Sequence, residues 1–465
     1  MARSIPTPTS LGRRAVVLGA SMAGLLAARV LQERFDEVWL LERDALPAGA
    51  DPRKGTPHAV HAHGLLARGR EVLESLFPGF TDALEARGAL VGDLHANAPF
   101  VAGGRRFAGG HCGRRGLSCS RLAIEAEVRR RVLALSRIKA VTDVDVVEPV
   151  LEGRRVTGVR IVQRASGAQE TLAADFVVDC TGRASRTPAC LRERGFDAPA
   201  EERVAVGIGY VTVYLRRAPE HAPGLAALIF TATPALPLPG VLLAQEAGAD
   251  GVPRWVATLG GYAGDHPPPT IEAMRERARR MGDATFARIL QEAEPLGPVL
   301  RYAFPHSQRR RFERLADFPE RLLVMGDAIA SFNPVYGQGM TVAACQAVAL
   351  QAALERGLAD VHRRFFRAAA RAIDVPWQLA VGADLAIPSV PGERSRGVRS
   401  INAYLARVFR AAPRDPKVAL AFMKVAHLIA PPPSLFAPHI VARVLWHSRD
   451  AGAAPGRPAV ALSDG

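Results

Sequence analysis

The stretch Ala15 to Asp44, AVVLGASMAGLLAARVLQERFDEVWLLERD, constrains the fold more than any other part of the chain. Ala15 to Leu18 is a short apolar run of the kind a buried parallel strand needs, and it stops at Gly19-Ala-Ser-Met-Ala-Gly24. Apolar residues then recur at helical spacing through Val30 and Leu31, and a second apolar run, Val38 to Leu41, ends at Glu42. The pattern predicts strand, tight turn, helix, strand. Such a turn offers bare amides and the positive end of a helix to a pyrophosphate, and an acid after the second strand can accept hydrogen bonds from a ribose. Gly19, Ser21, Met22, Ala23 and Gly24 are therefore candidate cofactor-binding positions, together with Glu42 and Arg43. Ser21 stands where the motif expects its second glycine, and serine is small enough to let a phosphate approach the backbone.

The net charge of +15 invites a nucleic-acid reading, but lysine is confined to Lys54, Lys139, Lys417 and Lys424, and the arginines are scattered. No nucleic-acid-binding motif accompanies them, so no nucleic acid is expected as a partner. A basic surface is compatible with a peripheral contact to anionic lipid or acidic partners. Five cysteines without a Cys-x-x-Cys pair read as reduced thiols of a cytoplasmic protein. No apolar stretch is long enough to predict a membrane span.

After Glu42 a Pro/Gly-rich loop brings Arg53, Lys54, His58, His61 and His63 close together, and it reads as a loop folding over a cofactor. The three histidines lack a cysteine partner or a regular element to hold them, and no metal is expected there. Leu65 to Leu76 and Ser120 to Leu135 read as helices, with Arg121 beside the starting serine, and Pro99 to His111 as a hairpin. Three β-rich runs between Ala140 and Ala174 precede a buried strand, Phe176 to Asp179. From Val204 the period changes to strands separated by Pro and Gly, the look of an antiparallel second domain. A single helix is expected over Ile271 to Ile289 and a single strand over Leu300 to Arg309. Helices over His362 to Trp377 and Asn402 to Ala411, and an apolar pair beyond them, are expected to pack on the cofactor domain and roof a cavity.

A second decisive stretch is Arg321 to Met340, RLLVMGDAIASFNPVYGQGM. A strand ending in Gly326-Asp327 offers a carboxylate to a sugar-like hydroxyl. The Gly337-Gln338-Gly339 turn at the next helix start offers amides to an electron-rich ring edge.

Taken together, Gly19 to Gly24 with Glu42, and Gly326-Asp327 with Pro334-x-x-Gly337-x-Gly339, resemble one family over residues 13 to 390: the class A FAD-dependent flavoprotein monooxygenases. Within it the chain looks most like the flavin epoxidases of polyether polyketide pathways. The likeness rests on Arg53-Lys-Gly-Thr-Pro with His61-Ala-His63, Cys119-Ser-Arg121, residues 177–183 and residues 326–340. The resemblance implies an α/β fold: a glutathione-reductase-like Rossmann FAD domain, an inserted antiparallel substrate domain of α+β character, and a helical C-terminal region. The expected boundaries are a tail at 1–12, the FAD domain at 13–202 and 306–360, the substrate domain at 203–305, helices at 361–450 and a tail at 451–465. Residues 85–115 are placed to pair with the substrate domain.

By the same resemblance Glu42 would hold the adenosine ribose, Asp327 the ribityl chain, and Arg121 would lie near the cofactor. Pro334, Gly337, Gln338, Gly339 and Met340 would face the flavin ring. Reduced FAD would react with O2 to form a C4a-hydroperoxide that oxygenates a small apolar organic substrate, an alkene or an activated ring. Such chemistry calls for no firm catalytic side chain. Phe230, Leu243, Phe332, Asn333 and Tyr336 are the candidate substrate contacts. Thr181-Gly182 stands where aromatic hydroxylases of this class usually carry Asp-Gly, a pair tied to FAD and NADPH. NADPH or NADH is thus the expected electron source, directly or through a separate flavin reductase. The alternatives are a flavin reductase of isoprenoid double bonds and a non-catalytic carrier of a lipid-like partner. The four tryptophans form no Trp-x-Trp pair of the halogenase kind.

Overall fold

The structure is a computed structural model describing residues 10–449; the two expected tails lie largely outside the described residues. Its organising element is a five-stranded parallel sheet in the order Leu322–Val324, Phe176–Asp179, Gly12–Leu18, Phe35–Leu41, Ile138–Val141. The strands are aliphatic on both faces because helices or other β-layers cover both. Ala15, Val16 and Val17 are fully buried, as are Val177 and Val178. Helix Met22–Leu31 packs against helix Gly339–Leu354 and helix Arg121–Leu133. The three β-rich runs form an antiparallel meander, Val144–Glu152, Arg155–Gln163 and Gln169–Ala173.

A seven-stranded sheet makes the second layer system, in the order Leu300–Phe304, Ile208–Arg216, Arg254–Gly261, Gly240–Gln245, Ala227–Thr231, Phe100–Ala102, Arg105–Arg106. Its last two strands come from far earlier in the chain: Phe100–Ala102 pairs in parallel with Ala227–Thr231. The expected single helix over 271–289 is two, Ile271–Arg280 and Ala284–Glu292. Gly282 breaks it with a φ of +79°, its backbone lying against that of Gly104, and Asp283 caps the second helix through the Phe286 amide. The expected strand over 300–309 also divides. Leu300–Phe304 stays in the large sheet, and Ser307–Arg310 crosses to a small one with Glu201–Val204 and Ala330–Ser331.

The C-terminal placement corrects the expectation in part. Helix Val361–Asp384 does pack on Gly339–Leu354, beside the parallel sheet. The last three helices, Arg396–Ala411, Pro416–Ala426 and Pro438–His447, instead bury Val408, Val418, Ile440 and Val444 with Ala102 and Phe107 of the hairpin. Phe100, Phe107, Phe409 and Phe422 form one aromatic cluster there. The hairpin supplies the apolar surface that these helices need, and the parallel sheet, already covered, has none to spare.

Candidate active site

The turns that matter lie at one edge of the parallel sheet, outside the carboxyl ends of its strands. The Gly19 amide donates to Leu41 O at 2.8 Å, Cys180 to Leu18 O at 2.9 Å, and Met325 to Asp179 O at 2.8 Å. Gly19 has a φ of +93°, and a Cβ on Gly24 would collide with the Gly19 carbonyl, so both glycines are needed for the helix to sit this close to its strand. Ser21 stands at the N-cap of Met22–Leu31 but does not cap it; its hydroxyl accepts from Arg121 at 2.9 Å and lies 3.3 Å from Glu125. Ala23 is half-buried beside Gly326, and Met22 is in the core.

Glu42 is buried and saturated. Oε2 accepts from the Ala20 amide (2.8 Å) and from Arg53 (2.9 Å), and Oε1 from the amides of Arg43 (2.9 Å) and Asp44 (3.2 Å). Arg53 also reaches Glu125 at 3.1 Å and Asp44 at 3.7 Å. Burial opposes its charge, yet Glu125 and Glu42 hold its pKa above the ordinary value. Lys54 and Arg43 do not join this network: both are exposed, Arg43 contributing only its main chain.

Arg121 links this end to the histidine loop. Its guanidinium contacts Ser21, Glu125 (3.2 Å) and His58 Nε2, with His63 Nε2 at 3.5 Å. Burial pushes His58 down to about 3 and His61 to about 4, and His63 well below its usual value. The rings are therefore neutral. His63 Nδ1–H donates to His61 O (3.0 Å), leaving Nε2 as an acceptor toward Arg121, and His61 Nδ1 pairs with Thr212 Oγ1 at 2.8 Å. The loop's three imidazoles are spent on arginine, threonine and backbone.

At the other end Asp327 has an open carboxylate with no hydrogen bond or ion pair among the described residues. Although its side chain is accessible, the protein packed around it raises its pKa, against the pull of Arg121 and Arg183. Helix Gly339–Leu354 starts without a side-chain cap and without an acid in its first turn, as does Met22–Leu31. Two long helices thus present uncapped amides, and the Gln338 Oε1 between them and the cavity is buried without a partner. A Cβ on Gly339 would meet nothing within 4 Å, while Gly337 (φ +63°) approaches the Gly64 backbone. Open amides, a partnerless carboxylate and bare backbone fit a dinucleotide laid from Glu42 to Gly337.

Beyond the turn Pro334–Gln338 lies a cavity of about 260 Å³. Its walls are the large sheet, the loop Ala62–Leu66 and the C-terminal helices, through Leu405, Phe409, Phe422 and Leu435. Phe230, Leu243 and Tyr336 line it, although Phe230 also packs on Phe286 with ring centres 4.7 Å apart. Phe332 and Asn333 do not. Phe332 turns into the core against Trp377, and the fully buried Asn333 donates to Asp384 at 2.8 Å. Sequence reasoning passed over Tyr262, Asp384, Arg183 and His427. Arg183 donates to Ser331 Oγ and His306 O, both at 2.9 Å, and His427 lines the cavity with Nε2 partnerless. The Arg-Ala-Ser after Gly182 was visible in sequence; the others had no local signal.

Residues 13–364 match the model of an FAD binding domain, and the chain belongs to that family of flavoproteins. "Protein Rv3254" of Mycobacterium tuberculosis (strain ATCC 25618 / H37Rv) is 36% identical over 425 residues, 88% of each chain. Among solved structures, the flavin-dependent brominase Bmp2 superposes with a TM-score of 0.65 at 12% identity, covering 90% of this chain and 93% of its own. PqsL, a probable FAD-dependent monooxygenase from Pseudomonas aeruginosa, gives 0.58 at 17%, covering 81% and 97%. The fold is that of these flavin-dependent enzymes. No described helix is long and apolar enough to cross a membrane.

Proposed function

We propose that the protein is an FAD-dependent monooxygenase. It would place one oxygen atom of O2 into a small, largely apolar unsaturated or aromatic substrate, by epoxidation or hydroxylation, in secondary metabolism. When bound, FAD supplies the activation of O2. Gly19 to Gly24 would hold the pyrophosphate on the first helix and Asp327 the ribityl hydroxyls, while Glu42, saturated within the fold, would take the ribose only in exchange for its contact with Arg53. The amides from Gly337 to Met340 would face the ring edge and favour negative charge there. The apolar walls exclude water from the reacting end and leave orientation to a few polar groups.

One observation carries this reading: the turn Pro334–Gln338 belongs at once to the uncapped start of Gly339–Leu354 and to the wall of the apolar cavity. A ring held at that helix start borders the substrate space directly. Thr181 donates both its amide and its hydroxyl to Asp179, at 2.8 and 2.6 Å. Electrons would come from NADPH or NADH, directly or through a separate flavin reductase. The test is anaerobic mixing of FAD-loaded protein with each nicotinamide, with and without a flavin reductase. Bleaching of the flavin followed by oxygen uptake on admission of air is expected. Bleaching without oxygen uptake by the re-aerated protein counts against oxygenation.

A further inference from the structure

The positive charge of the chain is not spread evenly. Residues 396–449 hold nine arginines and lysines and one acid, Asp415, so they supply +8 of the net charge of +15. Asp415 is buried against Arg443 and His447 and offers nothing to the surface. In helix Arg396–Ala411 the exposed positions Arg396, Arg399, Ala403, Arg407 and Arg410 recur every three or four residues and so share one side. Among the described residues Arg396, Arg407 and Arg410 have no acidic partner.

Apolar side chains are exposed in the same region. Six large hydrophobic residues are exposed among the described residues, and Ile401, Phe436, Leu445 and Trp446 are four of them, Trp446 at 69%. Tyr404 stacks on Phe436 with ring centres 4.7 Å apart, and Arg414 donates to His447 O at 3.2 Å. Helices Arg396–Ala411 and Pro438–His447 therefore lie side by side and run in the same direction, Phe436 at one end and Leu445 and Trp446 at the other. A single exposed leucine means little, but aromatic and aliphatic side chains grouped with unpaired cations mark a contact surface.

We propose that the outer face of these two helices docks on an anionic lipid surface, the arginines meeting head groups while Phe436, Leu445 and Trp446 enter the boundary with the acyl chains. Lipid is the partner that answers both halves of the face. A second copy of the chain would bring the same uncompensated arginines against each other, and a nucleic acid would leave Leu445 and Phe436 nothing apolar to enter. Leu405, Phe409 and Leu435 of the same segment line the cavity. Docking thus brings the cavity wall to within a helix thickness of the medium in which an apolar molecule dissolves. The inference goes beyond the oxygenation reading and does not depend on it.

The experiment is co-sedimentation of the full-length, FAD-loaded protein with vesicles of phosphatidylcholine alone or mixed with phosphatidylglycerol, with tryptophan emission recorded on the same samples. Binding to the mixed vesicles is expected to be at least about tenfold tighter than to phosphatidylcholine and to weaken with salt. Arg396→Gln, Arg407→Gln and Arg410→Gln combined should weaken it about a hundredfold. Trp255 and Trp377 are buried and Trp39 lies under Arg14 and Lys139, so the emission should shift to the blue on the mixed vesicles and Trp446→Ala should abolish the shift. Trp446→Ala decides the matter if the triple variant does not fold. Equal binding to both vesicles, binding to neither, binding that the triple variant retains, or a blue shift that survives Trp446→Ala overturns the proposal. So does a Trp446-dependent self-association without lipid, which gives the face to a second copy, or displacement from vesicles by soluble polyglutamate, which gives it to an acidic protein. Flavin content is read from the absorbance of the same samples; its loss alone counts against the monooxygenase reading and leaves the docking result standing.

Discussion

Glu42 and Asp327 each follow a strand of the same parallel sheet, yet their surroundings are opposite. Glu42 accepts from three amides and a guanidinium and shares Arg53 with Asp44 and Glu125. Asp327, exposed, and Asp384, fully buried behind the cavity, have no cation in contact, and both carboxyls have raised pKa values. The Glu42 side therefore supports itself, with its charges matched inside the fold. The Asp327 side leaves its carboxylates without a matching cation.

Four measurements break or sharpen that contrast. The largest effect is expected from Arg53→Met, which leaves Glu42 and Asp44 buried without their cation and should cost about 3–5 kcal/mol in urea melts. An unchanged midpoint would mean that the Glu42 side is not self-supporting. Asp384→Asn should act in the other direction. The folded carboxyl keeps its proton up to about 7, while an unfolded aspartate releases it near about pH 4. Over that window the folded chain holds the extra proton, so wild-type stability falls as pH rises, by about 4 kcal/mol at most. The variant should show a flatter profile and greater stability at neutral pH. Gly24→Ala should cost about 1–3 kcal/mol by forcing helix Met22–Leu31 off its strand, and flavin content should fall with it. The smallest effect on the fold is expected from Asp327→Ala: without FAD the melt should stay within about 0.5 kcal/mol of wild type. FAD affinity should still drop about tenfold. A large loss of stability there would show that Asp327 is structural.

The strand, turn and helix before Glu42 were legible because they are local. Strand, turn, helix and acid follow one another between Ala15 and Glu42, and each is marked by its own periodicity or glycine. Gly326-Asp327 and Gly337 to Gly339 were legible for the same reason, since a strand end and a helix start carry their own signals. What escaped was everything that depends on distant pairing. Asp384 meets Tyr262, from a different sheet, only when the long helix has docked, and nothing in its own neighbourhood marks it as a site residue. Phe332 and Asn333 were misplaced because the sequence of a turn does not reveal which of its side chains face inward. The break at Gly282 depends on close approach to Gly104, a partner no local window contains.

The family match ends at residue 364, while the helices that close the cavity begin at Arg396. They rest chiefly on a hairpin at the rim of the large sheet and contribute no strand to it, with the end of Pro416–Ala426 also reaching helix Ala67–Leu76 through His427. Descendants of such a chain can acquire new tastes by rewriting the residues from Arg396 onward.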